Sequence, residues 1–288
     1  MNVPRAGSTR FAIRNNSRIA YDPGKEPEES GNPAIVLMHD LLADRTAFLA
    51  QRAALGVASR VITPDARGHG ASATLANQWY TMAELAQDIV AILDVEEIQM
   101  VHLVGHGLGG ATAFEVARRF PERVATLTMI EPALFGVLDN DLSSAVVGAR
   151  NEFRSTDRAA GDAAYKGLTD KALDTYLLPR WGNGWREAVS KVRLGAIRRH
   201  ASSLAGLLPA IDGYTVAKNE LRLFLVPTRI VLGADSHPVV RLSAERLAAN
   251  LPAARIETME LADRPNTPFS GNGAVRLNPL LTGFLFDQ

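Results

Sequence analysis

The residues that could do chemistry in this 288-residue chain are few. There are six histidines and no cysteine, which removes disulfides, thiol nucleophiles, cysteine-ligated zinc and iron–sulfur clusters together. The most informative stretch is Gly105-His106-Gly107-Leu108-Gly109-Gly110, which follows an apolar run at 99–104 and opens a helical pattern. A strand, a sharp turn and a helix in that order can lift a serine hydroxyl clear of a sheet for nucleophilic attack, and the pattern that does so is Gly-x-Ser-x-Gly. Position 107 is where that serine would stand, and it is glycine. Glycine adopts positive φ without steric cost, so Gly107 preserves the turn and supplies no oxygen for an acyl-enzyme.

Other groups could still move protons. Asp235 follows an apolar strand pattern at 229–232, His237 lies two residues on, and Asp40 follows Val36-Leu37-Met38-His39. These three are the candidate catalytic residues, because an acid/base group must reach the reacting atom and hold a suitable protonation state. The N–H of Leu108, with His106 and Gly107 beside it, is a candidate oxyanion or ligand-binding position. Leu108 also opens a helix, whose N-terminus favours negative charge. Asp40 would repel an oxyanion there unless protonated or turned away. It is therefore either a new acid/base group or a sign that oxyanion binding is not retained. No His/Asp/Glu spacing suggests a metal. Residues 105–110 are not a dinucleotide fingerprint, since no acidic residue ends a following strand at the needed distance. Neither a metal nor a cofactor is expected.

The elements that must position these groups are read from hydrophobic periodicity. Short apolar runs at 34–38, 61–64, 99–104, 124–130, 229–232 and 255–260 alternate with helical patterns such as 82–93 and 108–119. That alternation predicts βαβ units and a mostly parallel sheet covered by helices on both faces. Residues 11–14 and 18–21 flank Asn15-Asn16-Ser17 and predict an edge hairpin. After Glu131-Pro132 the alternation stops. Helical patterns at 142–153, 159–166, 172–178 and 185–207 then predict a helical lid over the carboxyl ends of the strands. The expected organisation is a core of residues 1–135 and 215–288 and a lid of residues 136–214.

Composition narrows the partners. At 47% hydrophobic and 22% charged the chain is typical of a folded globular protein. With 31 basic and 31 acidic residues it has no excess charge to hold a phosphate backbone or an anionic membrane. No apolar run approaches the length of a bilayer span, and residues 1–15 lack the apolar core of a signal peptide. The expected partner is a small molecule, not nucleic acid or membrane, and the expected location is the cytoplasm.

Several segments together resemble the α/β-hydrolase superfamily. Val36-Leu37-Met38-His39 resembles the strand and histidine that open the oxyanion loop. Asp65-Ala66-Arg67-Gly68-His69-Gly70-Ala71-Ser72 resembles the Asp-x-Arg-Gly-His-Gly-x-Ser segment. The stretch from Pro227 to Asp235 is similar to the strand that delivers the acid of the triad, and Asn266-Thr267-Pro268-Phe269 to the His-x-x-Phe that carries its histidine. The resemblance implies an eight-stranded, mostly parallel sheet with a helical lid after strand 6. It places the N–H groups of Leu41 and Leu108 together as an oxyanion or ligand-binding pair, assigns structural roles to His39, His69, His106 and Glu131, and makes Asp235 the one triad member present, since Gly107 and Asn266 fill the other two places. An amide neither takes nor gives a proton near neutral pH.

Beside these, His102 reads as a strand residue, and His200 as solvated near Arg198 and Arg199. Arg193, Arg198 and Arg199 read as a solvated helix face. Phe153, Trp181 and Trp185 read as lid packing or cleft wall. Three functions compete: a small-molecule enzyme working by acid–base chemistry without a covalent intermediate, a non-catalytic binder, and an unorthodox ester or lactone hydrolase. A serine or threonine oxygen within bonding reach of a histidine beneath the lid would end the reading without a nucleophile and make ordinary covalent hydrolysis the favourite.

Overall fold

The computed structural model describes residues 9–27, 31–72, 79–139, 141–260 and 271–286. Its centre is a sheet of eight strands: β1 (Arg10–Arg14), β2 (Ser17–Asp22), β3 (Ala34–Met38), β4 (Val61–Pro64), β5 (Val101–His106), β6 (Val124–Ile130), β7 (Thr228–Gly233) and β8 (Ala254–Met259). Their order is β1-β2-β4-β3-β5-β6-β7-β8. The hairpin β1–β2 is antiparallel and joins β4 antiparallel, and every other pairing is parallel. Val36, Leu103 and Leu127 lie on central strands and are fully buried, as the apolar runs require for a sheet covered on both faces.

The helices are α1 (Leu49–Leu55), α2 (Met82–Val95), α3 (Leu108–Arg119), α4 (Ser144–Tyr165), α5 (Thr169–Trp181), α6 (Trp185–Ala188), α7 (Lys191–His200), α8 (Leu204–Asp212), α9 (Lys218–Arg222), α10 (Pro238–Ala248) and α11 (Gly271–Phe286). A reciprocal Thr81/Glu84 capping box starts α2, which buries Leu85, Ile89, Ile92 and Leu93 against the sheet. Arg67, from the loop after β4, donates to both carboxylate oxygens of Asp88 on α2, with Nη2 at 2.7 Å from Oδ1, and to Ser17 Oγ at 2.8 Å. This buried, bidentate pair fixes the loop that carries His69.

Helices α4 to α8 all fall between β6 and β7. Two details differ from the periodicity. Residues 142–153 and 159–166, read as two helices, belong to the single α4, since 154–158 contains neither glycine nor proline to end a helix. Residues 185–207, read as one helix, are divided into α6, α7, a short 3₁₀ turn and α8. Ser190 is extended and caps α7 through Arg193 N–H at 3.2 Å, so a local hydrogen bond interrupts a pattern that hydrophobicity leaves continuous.

No helix among the described residues is long and apolar enough to cross a membrane.

Candidate active site

The turn between β5 and α3 is built by glycines. Gly107 has φ 52° and ψ −112°, a left-handed conformation that L side chains adopt only with strain. Its N–H donates to Ile130 O at 3.0 Å, and its carbonyl accepts from Ala111 at 3.1 Å and Ala133 at 3.0 Å. The turn is thus tied to both β6 and α3. A β-carbon on Gly105 would overlap the Gly109 carbonyl, so strand and helix approach more closely than any side chain there would allow.

A β-carbon on residue 107 would overlap the Asp40 carboxylate. Asp40 lies just past the end of β3 and is half-buried, and its Oδ1 accepts from Leu108 N–H at 2.8 Å. Helix α3 has no side-chain cap of its own, since its first flanking residue is Gly107. Asp40 therefore satisfies an otherwise orphan N–H from across the site. The Leu41 N–H, by contrast, has no acceptor among the described residues. Of the two amides expected to hold an oxyanion, one is occupied by a carboxylate and one is open.

His39 positions this loop. Its Nδ1 bonds the Asp40 carbonyl at 2.7 Å and its Nε2 accepts from Ala66 N–H at 2.9 Å. Burial holds its pKa below the usual imidazole range, which keeps Nε2 an acceptor.

Side chains from the helices between β6 and β7 form a second cluster that acts on Asp40 electrostatically. The Arg180 guanidinium lies 3.9 Å from the Tyr176 ring centroid and 4.3 Å from that of Phe153, and it donates to Asp157 Oδ1 at 2.7 Å. Burial opposes the charge of Arg180, but Tyr176, Asp157 and Asp40 outweigh it and hold its pKa up. Burial is also the main reason that the Asp157 carboxyl and the Tyr176 phenol are pushed up, with the Asp40 charge adding to both. Asp40, Asp157, Tyr176 and Arg180 form one electrostatic group. Sequence reasoning missed this group, because Tyr176 and Arg180 on α5 meet Asp157 from α4 only through the packing of the two helices.

The remaining candidates lie around this centre. His106 Nε2 is 3.8 Å from Glu131 Oε2. Glu131 has φ 44°, and its Oε1 accepts from Ser236 Oγ. Glu131 thus joins His106 on β5 to Ser236 in the turn after β7. Asp235 is exposed on the turn after β7. His237 caps α10, its Nδ1 accepting from Val239 N–H at 3.3 Å, and its ring centroid lies 5.0 Å from that of Phe153. Asn266 lies outside the described residues. Trp185 is buried and donates to Asp174 at 3.0 Å, while Trp181 stands edge-on to it, so both serve packing.

Two expectations are corrected. His200 is buried, not solvated: its ring centroid is 5.1 Å from that of His69, and its Nε2 accepts from Gly70 N–H at 3.1 Å. Arg198 and Arg199 are exposed, as expected, but Arg193 is half-buried on the inner side of α7.

Ser203 Oγ lies 3.1 Å from His69 Nε2, the kind of contact that would favour covalent hydrolysis. Its environment argues otherwise. The hydroxyl donates its one proton to His200 O at 2.7 Å, and the Nε2 lone pair of His69 accepts from Leu42 N–H at 3.1 Å. Ser203 and His69 are both buried. Burial and the neighbouring His39 and His200 hold the His69 pKa well down. The pair ties α7 and α8 to the Gly68–His69 loop.

The family model described as alpha/beta hydrolase fold matches residues 33–262. The chain belongs to the α/β-hydrolase family. Among relatives of this family, the sn-1-specific diacylglycerol lipase ABHD11 of Mus musculus is 26% identical over 231 residues, 79% of this chain and 73% of the relative. The dihydrolipoyllysine-residue acetyltransferase component of the acetoin cleaving system of Pseudomonas putida is 41% identical over 108 residues, 38% of this chain but only 29% of that longer protein. Among solved α/β-hydrolase structures, a thermophilic esterase from Thermogutta terrifontis superposes with a TM-score of 0.74 at 20% identity, covering 98% of this chain and 99% of the esterase.

Proposed function

We propose that this α/β-hydrolase-fold chain is a small-molecule enzyme that acts on a carbonyl- or carboxylate-bearing compound by acid–base chemistry, without a serine acyl-enzyme. In this reading residues 136–214 are a lid over a core made of residues 1–135 and 215–288. The observation that carries it is the Asp40 carboxylate beside Gly107, bonded to Leu108 N–H at 2.8 Å. A base stands where a nucleophilic hydroxyl would begin.

The chemistry follows from that hydrogen bond. Asp40 takes a proton from a carbon next to the ligand carbonyl, and the C–H electron pair moves onto the carbonyl oxygen as an enolate. A neutral carboxyl accepts less strongly than a carboxylate, so protonation of Asp40 loosens its hold on Leu108 N–H. That amide and the open Leu41 N–H then face the new oxyanion, where preorganised donors are most effective. Returning the proton to a different carbon completes an isomerisation. Expelling a leaving group from the adjacent carbon completes an elimination.

A second reading is favoured by the same contact. A carboxylate that permanently caps Leu108 N–H would leave a binding protein with no chemistry. The test is a thermal-shift screen of small carbonyl compounds and carboxylates, followed by an assay for conversion of each hit. Conversion lost in Asp40→Asn supports the enzyme, and binding without conversion supports the binder. Covalent labelling by a fluorophosphonate, with ester turnover, would sink both in favour of ordinary hydrolysis.

A further inference from the structure

A cleft of about 570 Å³ lies between α9, α10 and the segment that follows β6, and none of its lining residues belongs to the turn that holds Asp40 and Gly107. Clefts of about 300–1,000 Å³ take small molecules. One wall is α9, where Lys218, Leu221 and Arg222 stand at i, i+3 and i+4 and so share a face. Leu221 is buried and anchors that face, while Lys218 and Arg222 remain exposed at the cleft. Arg246, in the last turn of α10, comes from a second wall, and Asp141 and Leu142 come from a third.

Charge is unevenly shared here. Asp141 is the one acidic residue among the described residues that line the cleft, and both its oxygens are engaged, Oδ2 by Arg246 Nη2 at 2.5 Å and Oδ1 by Ser143 N–H at 3.0 Å. That ion pair holds Arg246 in place, yet its other N–H groups have no acceptor among the described residues. The Lys218 ammonium and the Arg222 guanidinium make no hydrogen bond or ion pair among the described residues. Glu220, the acid on the same helix, is taken by Arg118 at 2.8 Å and lines a different hollow. Three cations against one carboxylate leave an excess of two positive charges, in a chain whose 31 basic and 31 acidic residues balance.

Like charges at i and i+4 weaken a helix, and a concave surface of one sign focuses the field and gathers anions. The cleft thus carries a local cost that a bound anion would remove. Leu142 adds an apolar side chain, 86% exposed, to the same cleft.

We infer that this cleft is a second ligand site and that it takes a small molecule bearing a phosphate monoester and an adjoining apolar group, the phosphate among Lys218, Arg222 and Arg246 and the apolar group on Leu142. A phosphate monoester is largely dianionic near neutral pH and offers three acceptor oxygens, so it matches the excess of two charges, where a carboxylate would leave one uncompensated. The inference is independent of the acid–base reading of the Asp40 site.

The test is calorimetric binding of hexyl phosphate, inorganic phosphate and neutral hexanol to the full chain at pH ~8 and low salt, where screening is weak. Phosphatidylcholine vesicles containing phosphatidate are the fourth probe. Hexyl phosphate should bind about tenfold more tightly than inorganic phosphate, since two buried methylenes suffice for that gain, and hexanol should not bind. Replacing Lys218→Gln and Arg222→Gln together should weaken hexyl phosphate by about tenfold or more, whereas Lys218→Arg with Arg222→Lys and, on the outer face of α7, Arg198→Gln should leave it bound. Leu142→Ser should remove the advantage of hexyl phosphate over inorganic phosphate. All these side chains are exposed, so each variant should melt with the parent. Four results would overturn the inference: no hexyl phosphate binding at up to about 20 mM, where a millimolar site would be nearly saturated; an affinity unchanged in the double glutamine variant; binding to phosphatidate vesicles without binding to soluble hexyl phosphate; or binding lost in Asp40→Asn and kept in the double glutamine variant, which would place the ligand at the other site.

Discussion

Asp40 and Gly107 exclude any side chain larger than hydrogen at position 107: the carboxylate of one fills the volume that a β-carbon on the other would need. The two residues lie just past the ends of neighbouring central strands, β3 and β5, whose parallel register pairs Met38 with Gly105. One glycine thus admits both a left-handed turn and a carboxylate against it.

This relationship predicts non-additive mutants. Gly107→Ala should destabilise the protein by ~1–3 kcal/mol through backbone strain alone, with a further loss from displacing Asp40. In Asp40→Gly the volume is open, so Gly107→Ala should cost less in that background. Urea unfolding of the two single variants and the double variant measures the coupling. Strict additivity would mean that the carboxylate does not occupy this space.

Asp40→Asn keeps the size of the side chain and an oxygen that can cap Leu108 N–H, but it removes the base. Its melting temperature should stay close to that of the parent, while turnover of any converted hit falls by about 100-fold or more. A variant that turns over normally would show that the proton goes elsewhere.

Ser203 should be silent as a nucleophile. Its hydroxyl proton is engaged by the His200 carbonyl, so a fluorophosphonate probe should label neither the parent nor Ser203→Ala. Loss of an ester-cleaving activity in Ser203→Ala would reverse this assignment. Intact-mass analysis after labelling reads the outcome directly.

Stability should fall as the medium becomes acidic. His39, His69 and His200 are held below the ordinary imidazole value, chiefly by burial, and each accepts a backbone N–H through Nε2. The unfolded chain takes up protons on these groups near pH ~6.5 while the folded chain does not. Their contribution is therefore fully present above that value and is lost as the pH drops below it, by up to about 1.4 kcal/mol per pH unit for each proton. Nearby Asp44 and Asp65 oppose this at His39 and His200 without cancelling it. Urea midpoints measured from about pH 8 to about pH 5.5 should decline, and His200→Gln should decline less steeply.

Much of the architecture was legible because it rests on period and local chemistry. Apolar runs placed the six parallel strands to within a residue or two, since the central ones are buried on both faces and only the edge strand β8 carries exposed polar residues. Residues 108–119 read as a helix, and the Gly-rich turn before it read as a turn, because backbone close approach and positive φ leave few alternatives to glycine. The breaks that divide residues 185–207 were hidden, because the Ser190 cap competes with the helix through a single hydrogen bond that hydrophobicity does not register.

The sequence by itself determined that residue 107 carries no nucleophile and that Asp40 stands where its charge would matter, since both follow from residue identity at positions fixed by strand and turn. Only the tertiary structure decided where that charge goes: onto the Leu108 N–H, into the space above Gly107. It alone also decided that Arg180 finds its carboxylate in Asp157. Side chains that meet across separate elements are set by the packing of those elements, and no spacing along the chain encodes which carboxylate will be left to which guanidinium.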